Sequence, residues 1–296
     1  MTTYISLFCP PRGNFFKMEN RERFAITFGE VALLHVGGKE FGTGRRENGY
    51  SVQELRELGK RVECKTELVM ISDALPENLR ESNEAAVLVL RGGANFLLEY
   101  GADNRLLQEQ KTLVAYDEKY WDNRRKTTLN KRARKNTVFG EKDIEHSENY
   151  KQCTVNSFEK LEHLNKLRKG LCALGDKAEN LNAEGNWYFE SKSGIGFHGD
   201  AERKIVICLS LGNSSTLRYC WRLAKETANY GSPVDVVLNH GDIYIMSEKA
   251  TGYDWLFRSK VRVVHAAGHE KYLKTERKAK PTGDKRKPKT PLKVVG

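Results

Sequence analysis

The sequence lacks both a long apolar run and paired cysteines. No uninterrupted apolar stretch approaches the roughly 20 residues that a helix needs to cross a bilayer, so we expect no membrane-spanning segment. The six cysteines are scattered without a CxxC pair, which argues against a disulfide framework and against a cysteine zinc site. The first residues lack the basic start and apolar centre of a secretory signal. We therefore expect an intracellular protein, either cytoplasmic or nuclear.

Positive charge is in excess, and it is unevenly distributed. The net charge is +11, and ten Lys or Arg stand against two acids between Lys271 and Gly296. A second basic cluster lies between residues 119 and 135. Residues 279–296 are expected to be a basic disordered tail, because prolines interrupt them and they show no apolar periodicity. Such a tail fits a solubilising or nuclear-import segment, and it equally fits an arm for nucleic-acid phosphates.

The pattern of apolar residues changes along the chain. Residues 1–115 read as an α/β extension of unknown role, with strands in FAITFGEVALLHVGG and EAAVLVLRGGANFLL. A helix is predicted at SVQELRELGKRV, where Ser51 and Glu54 form a capping box. A packing helix is predicted between Ser157 and Leu174. After about residue 185, short strand-like runs separated by turn residues indicate a mainly β sandwich or jelly roll, within a unit spanning 116–278.

The tripeptide His-Gly-Asp occurs twice, at 198–200 and at 240–242. A ferrous centre that binds O₂ needs two imidazoles and a carboxylate on one face, with open positions opposite. A His and an Asp two residues apart point to the same side of an extended chain. The second His should come from a strand that returns several dozen residues later. His265 is 67 residues after His198 and only 25 after His240, and its rival His269 follows the strand. We therefore predict that His198, Asp200 and His265 bind metal, and that the second tripeptide only opens a strand.

Several motifs agree in order with one known family. NWY precedes the first HGD, IVICLSLG follows it, and LNHGDIYIM, RVVHAAG and KYLKTER come later. In this combination the chain resembles the AlkB family of Fe(II)- and 2-oxoglutarate-dependent dioxygenases over about residues 130–278. Residues 1–115 lie outside the resemblance.

The resemblance implies a double-stranded β-helix (jelly-roll) oxygenase core and a set of residue roles. His198, Asp200 and His265 would ligate Fe(II), with 2-oxoglutarate and O₂ as co-substrates. Asn186 and Tyr188 would hydrogen-bond 2-oxoglutarate. Its distal carboxylate would be bound from a final extended strand by Arg277, with Lys271 standing where the family has an arginine. Alternatively, Lys271 and Arg277 merely begin the basic tail.

The resemblance also implies a substrate, an alkylated base in DNA or RNA that is oxidatively demethylated, as in DNA repair. Enzymes of this kind draw the base out of the stack. The segment from Asn130 to Gly140 would contact the substrate, with Arg132, Arg134 and Lys135 on phosphates and Phe139 stacking on a base; alternatively, it is a basic surface segment. Two other classes stay open. One is a hydroxylase of a protein or small molecule with the same metal site. The other is a catalytically silent nucleic-acid-binding protein.

Overall fold

The computed structural model describes residues 22–33, 40–42, 44–223, 229–255 and 261–275. The tail at 279–296 and Arg277 lie outside these residues. The strands in the described part are β1 (Arg23–Gly29), β2 (Val31–Leu33), β3 (Glu40–Gly42), β4 (Thr66–Met70), β5 (Ala86–Leu90), β6 (Lys119–Asp122), β7 (Thr127–Asn130), β8 (Lys135–Gly140), β9 (Val155–Ser157), β10 (Asn182–Tyr188), β11 (Gly194–His198), β12 (Ile207–Gly212), β13 (Ser215–Leu223), β14 (Tyr230–Leu238), β15 (Ile243–Met246) and β16 (Val261–Gly268).

Helices are fewer and mostly short. Those in the described residues are α1 (Val52–Arg61), α2 (Glu77–Arg80), α3 (Gly93–Leu97), α4 (Ala102–Thr112), α5 (Glu162–Gly170), α6 (Glu248–Thr251) and α7 (Glu270–Leu273). In the same residues, none is long and apolar enough to cross a membrane. The fold is therefore mixed α/β and rich in strands.

The strands form two main sheets. The larger has eight strands in the order β4-β5-β15-β12-β1-β10-β8-β9, and all its pairs are antiparallel except β8 with β9. The smaller has four antiparallel strands in the order β11-β16-β13-β14. Side chains from both sheets share one hydrophobic cluster, so the sheets pack face to face.

The side chains of strand β1 show what each face of the larger sheet contacts. Side chains alternate along an extended strand. Phe24, Ile26 and Phe28 are buried in the core that includes residues of α1, α4 and α5. Arg23, Ala25 and Thr27 point to the opposite face, into the cavity between the sheets. Helices α1, α4 and α5 therefore cover one face of the larger sheet, and the smaller sheet covers the other.

Most of the predicted elements are confirmed. Helix α1 begins at the predicted capping box, in which Ser51 Oγ accepts from the Glu54 N–H and the Glu54 carboxylate accepts from the Ser51 N–H. The apolar face predicted between Ser157 and Leu174 is buried, on α5 and the 3₁₀ turns on either side of it. The strand-like runs from NWYFE to KVRVVHAAG form β10 and β12 to β16.

Two expectations are corrected by the fold. The extended strand expected from Lys271 onward is wrong for its described part, because residues 270–273 form α7, which begins where His269 Nδ1 accepts from the Lys271 N–H. The boundary expected at residue 115 does not separate two units in the described residues. Strands β1, β4 and β5 precede it, yet they hydrogen-bond into the same sheet as β10, β12 and β15.

Candidate metal centre

Two adjacent strands of the smaller sheet bring the predicted ligands together. His198 ends β11 and lies directly opposite His265 of β16, with the ring centroids 4.5 Å apart. Asp200 follows two residues later, and its Oδ1 lies 3.5 Å from His198 Nε2 and 3.7 Å from His265 Nε2. The three ligand atoms all lie within 4.8 Å of one another. Atoms that each lie about 2.1 Å from a shared ion stand roughly 3–4 Å apart, so both distances from Asp200 Oδ1 fit one ion, and the three residues could hold a metal.

Hydrogen bonding and burial prepare both imidazoles for a cation. His198 Nδ1 lies 2.8 Å from the Gly196 carbonyl oxygen, so Nδ1–H donates to it and the lone pair of Nε2 is left to face the cluster. His265 is 5% exposed, and its Nδ1 has no hydrogen-bond partner in the described residues. Burial, together with the nearby His198 and Arg203, holds the pKa of His265 well below its ordinary value. A neutral imidazole offers a lone pair that a metal ion can use.

The turn that carries Asp200 is held against the end of α6. The Asp200 N–H donates to the Thr251 carbonyl at 2.9 Å. Gly252 follows with φ +72°, and a Cβ there would lie 2.7 Å from the Val263 carbonyl oxygen and 2.9 Å from Gly199 Cα. Only glycine permits this approach, because a side chain would push the Asp200 turn away from β16.

A buried arginine balances the charge beside the cluster. The Arg203 side chain is 4% exposed, and its Nη2 lies 3.1 Å from Glu184 Oε2 and 2.6 Å from Glu202 Oε1. Burial alone would lower the pKa of Arg203, but Glu202, Asp200 and Glu184 raise it. The guanidinium is therefore a permanent cation whose ion-pair partners are these two glutamates. No pattern in the sequence indicated a role for Arg203.

The cluster lies at one wall of a cavity of about 220 Å³ between the two sheets. The larger sheet contributes side chains from β1, β10, β12 and β15, and the smaller contributes the histidine strands β11 and β16. Predicted co-substrate residues Asn186 and Tyr188 both line this cavity and are nearly buried. Asn186 Oδ1 accepts from Arg134 Nε at 2.6 Å. The structure therefore brings these two residues and the three ligands around one space.

Lys271 is not among the residues that line this cavity. It lies on α7, where its side chain is exposed and its Nζ lies 4.8 Å from the centroid of the Tyr272 ring. Arg277 is outside the described residues. The cavity instead contains a guanidinium that the sequence analysis missed, that of Arg23 on β1. The alternation of RFAITFG was the available signal, since it places Arg23 on the same face as Ala25 and Thr27.

The segment predicted to contact the substrate divides between surface and core. Arg132 and Arg134 line a groove of about 700 Å³ between the β6–β7 hairpin and β8, and Arg134 also lines the metal cavity. Lys135 instead pairs with Glu118 and lies over the Trp187 ring. The stacking role expected for Phe139 is wrong, because this side chain is fully buried in the core.

The second HGD forms a turn that is held by several hydrogen bonds. It forms the turn that opens β15, where the Gly212 N–H donates to His240 Nδ1 at 3.0 Å. The Asp242 carboxylate accepts from Arg91 and from the N–H groups of Gly92 and Asn239. In the described residues, the one cluster of three possible metal ligands is that of His198, Asp200 and His265.

Comparison with known proteins adds a family but no activity. No family model matches the sequence. The uncharacterized protein R156 of Acanthamoeba polyphaga mimivirus is 34% identical over 263 residues, which cover 86% of this chain and 99% of the relative. This coverage includes most of residues 1–115, consistent with their integration into the larger sheet. The chain belongs to the same family as the mimivirus protein R156.

Proposed function

We propose that the protein is an Fe(II)- and 2-oxoglutarate-dependent dioxygenase that oxidises alkyl groups on bases in nucleic acid. The observation that carries the proposal is the cluster of His198, Asp200 and His265 at the wall of a cavity between two sheets. Two facing, mostly antiparallel sheets, with the histidines on adjacent strands of the smaller one, support a double-stranded β-helix core. The sequence resemblance to the AlkB family supports the same core.

The three ligands suit ferrous iron. Two imidazoles and one carboxylate on one side of an ion leave its other positions open toward the cavity, which is the arrangement of non-haem iron oxygenases. A structural zinc site would instead be closed by a fourth protein ligand. The Nε2 atoms of His198 and His265, which lie 3.5 and 3.7 Å from Asp200 Oδ1, support a resident cation here.

Iron with 2-oxoglutarate and O₂ supplies the oxidation of a substrate C–H bond to an alcohol, with decarboxylation of the co-substrate to succinate. The chain itself binds, orients and excludes water. Asn186 and Tyr188 offer an amide and a hydroxyl to co-substrate oxygens, and Arg134 fixes the orientation of the Asn186 amide. The apolar side chains of Leu217, Leu238 and other cavity residues limit the access of water to the reacting centre.

The groove beside the cavity favours a polyanion as substrate. Its lining includes Arg125, Lys131, Arg132 and Arg134, without an acidic side chain, and Tyr120 lies among them. Burial lowers the pKa of Lys131, which increases the benefit of an anionic partner there. Arg134 lies on the wall of both spaces, so a phosphate held by Arg134 would place the adjoining base near the metal cavity.

The activity is tested by succinate formation from 2-oxoglutarate and Fe(II), with and without methylated single-stranded DNA or RNA. We expect a methylated oligonucleotide to stimulate succinate release and an unmethylated one of the same sequence to do so much less. Succinate release that no oligonucleotide raises would keep the oxygenase chemistry and reject the nucleic-acid substrate. A folded, iron-loaded protein that forms no succinate would reject the oxygenase.

Neutralising a groove arginine should weaken oligonucleotide binding in a salt-dependent way. We expect Arg132→Gln or Arg134→Gln to reduce the slope of log affinity against log salt concentration by about 0.7 for a single strand, because one phosphate contact is lost. Fluorescence anisotropy with an unmethylated oligonucleotide at several salt concentrations measures this slope. Lys60→Gln is the matched control, since Lys60 is exposed on α1, which packs near the far edge of the larger sheet. An equal slope for all three variants would exclude the groove as the binding surface.

A further inference from the structure

Three guanidinium groups line the metal cavity, and two of them already have partners. Arg203 is paired with Glu184 and Glu202. Arg134 donates to Asn186 and lies at the side of the cavity that faces the groove. Arg23 is the third. In the described residues, no carboxylate lies within ion-pair distance of it.

Arg23 is held in place although no carboxylate in the described part of the chain pairs with it. It is 6% exposed, and its guanidinium carbon lies 4.0 Å from the centroid of the Tyr188 ring. On the neighbouring strands it lies opposite Tyr188 of β10 and Gly212 of β12. A Cβ at Gly212, whose φ is +87°, would lie 2.5 Å from the Glu22 carbonyl oxygen, so the chain is closely packed around Arg23. Burying an unpaired guanidinium is costly, and an anionic ligand in the cavity would remove that cost.

Arg23 lies where it could bind one end of a ligand whose other end is chelated by a metal ion at the cluster. Arg23 comes from the larger sheet, and the cluster comes from the smaller sheet, with the cavity between them. Asn186 lies two residues from Tyr188 on the same face of β10, and both line the cavity with Arg23 and the ligand cluster. A short dicarboxylate with a 2-oxo acid at one end is the co-substrate that the proposed function requires.

We propose that Arg23 binds the distal carboxylate of 2-oxoglutarate, and that the co-substrate site is therefore completed by the first strand of the described chain. The inference rests on the proposed function. It replaces Lys271 and Arg277, which the resemblance had assigned to this carboxylate. Strand β1 precedes the whole region of resemblance, yet it lies in the centre of the larger sheet, between β12 and β10. This strand provides the Arg23 guanidinium. A guanidinium offers this carboxylate a bidentate pair that a lysine cannot form.

The test compares two ligands that differ only at the distal end. The full-length protein is loaded with Mn(II) under argon and titrated calorimetrically with 2-oxoglutarate or with 2-oxopentanoate, which lacks the distal carboxylate. We expect Arg23→Gln to weaken 2-oxoglutarate binding by about 30-fold or more, as for truncation of one partner of a buried charge pair. Binding of 2-oxopentanoate should be unchanged, and this result also shows that the variant is folded and its metal site intact.

Control variants separate the possible outcomes. Arg23→Lys keeps the positive charge but lacks the planar guanidinium, so we expect an intermediate loss of 2-oxoglutarate affinity. This variant replaces Arg23→Gln in the test if Arg23→Gln does not fold. Lys271→Gln and Arg277→Gln should bind 2-oxoglutarate as the unmodified protein does. Equal 2-oxoglutarate affinity for Arg23→Gln and the unmodified protein would overturn the assignment of Arg23 alone. If the metal-loaded, unmodified protein bound neither 2-oxo acid, the proposed function would fall, and this assignment with it.

Discussion

Replacing His198 or Asp200 by alanine is expected to remove both metal binding and turnover, whereas replacing His240 leaves both largely intact. Each of the first two changes removes one of three converging ligand atoms. Loss of even an outer partner of a metal ligand costs about 10- to 100-fold in affinity, so we expect a loss of about 100-fold or more here. Titration with Co(II) under argon measures the affinity, and succinate formation with Fe(II) measures the turnover.

His240→Ala is the matched control because it belongs to the same tripeptide in a different place. His240 accepts from the Gly212 N–H, and its Nε2 lies 3.8 Å from Asp103 Oδ2, outside the cluster. Its loss should affect stability modestly and leave the Co(II) affinity within a few-fold of the original. Co(II) affinity retained by His198→Ala, or lost in a folded His240→Ala protein, would contradict the assignment. Circular dichroism of each metal-free variant shows whether the fold survives.

The ligand cluster was predictable from the sequence because its geometry is mostly local. His198 and Asp200 are two positions apart, and any extended chain puts such a pair on one side. The third ligand required only a returning strand, and the run VRVV before His265 supplies it in β16. Which of the two HGD copies joins the cluster followed from the distance along the chain to that strand.

The cavity wall that includes Arg23 was not predictable in the same way, because strand pairing is not local. The sequence of β1 identifies it as a strand but says nothing about its neighbours, which lie more than 150 residues away in β10 and β12. Arg23 therefore looked like one basic residue among many.

At the other end of the chain, the prediction of an inward-facing strand from Lys271 overlooked a helix-start signal, since His269 can cap a first turn that contains Glu270.

Phe139 shows that the charges of a basic segment do not reveal which of its residues are buried. The residues before it are polar and basic, which suggested a surface loop, whereas Thr137 to Gly140 are buried on both faces of β8. A strand buried on both faces has no alternation of polar and apolar residues to identify it. The part of the segment that lines the groove is therefore mainly the portion that precedes β8 and includes Arg132 and Arg134.

Glu30→Ala is expected to destabilise the fold and weaken the metal site together. Glu30 follows β1 directly and is 1% exposed. Its Oε1 accepts from the Lys204 N–H at 2.6 Å, and its Oε2 accepts from the Ile205 N–H at 3.0 Å. Removing the carboxylate leaves two buried donors unpaired, at about 1–3 kcal/mol each, so we expect the free energy of unfolding to fall by about 3–5 kcal/mol. Urea unfolding of the metal-free protein measures this fall.

The metal site is affected because the same carboxylate holds the turn between β11 and β12. Asp200 and Arg203 lie on that turn, and Gly29 packs so closely against it that a Cβ there would lie 2.9 Å from Arg203 Cδ. Releasing the turn should let Asp200 move away from the histidines, and we expect the Co(II) affinity of Glu30→Ala to fall by about tenfold, as when an outer partner of a ligand is lost. Glu57→Ala, on the exposed face of α1, should change stability by no more than about 0.5 kcal/mol. A Glu30→Ala protein as stable as this control would show that the two N–H groups find other partners, and that β1 does not hold the Asp200 turn in place.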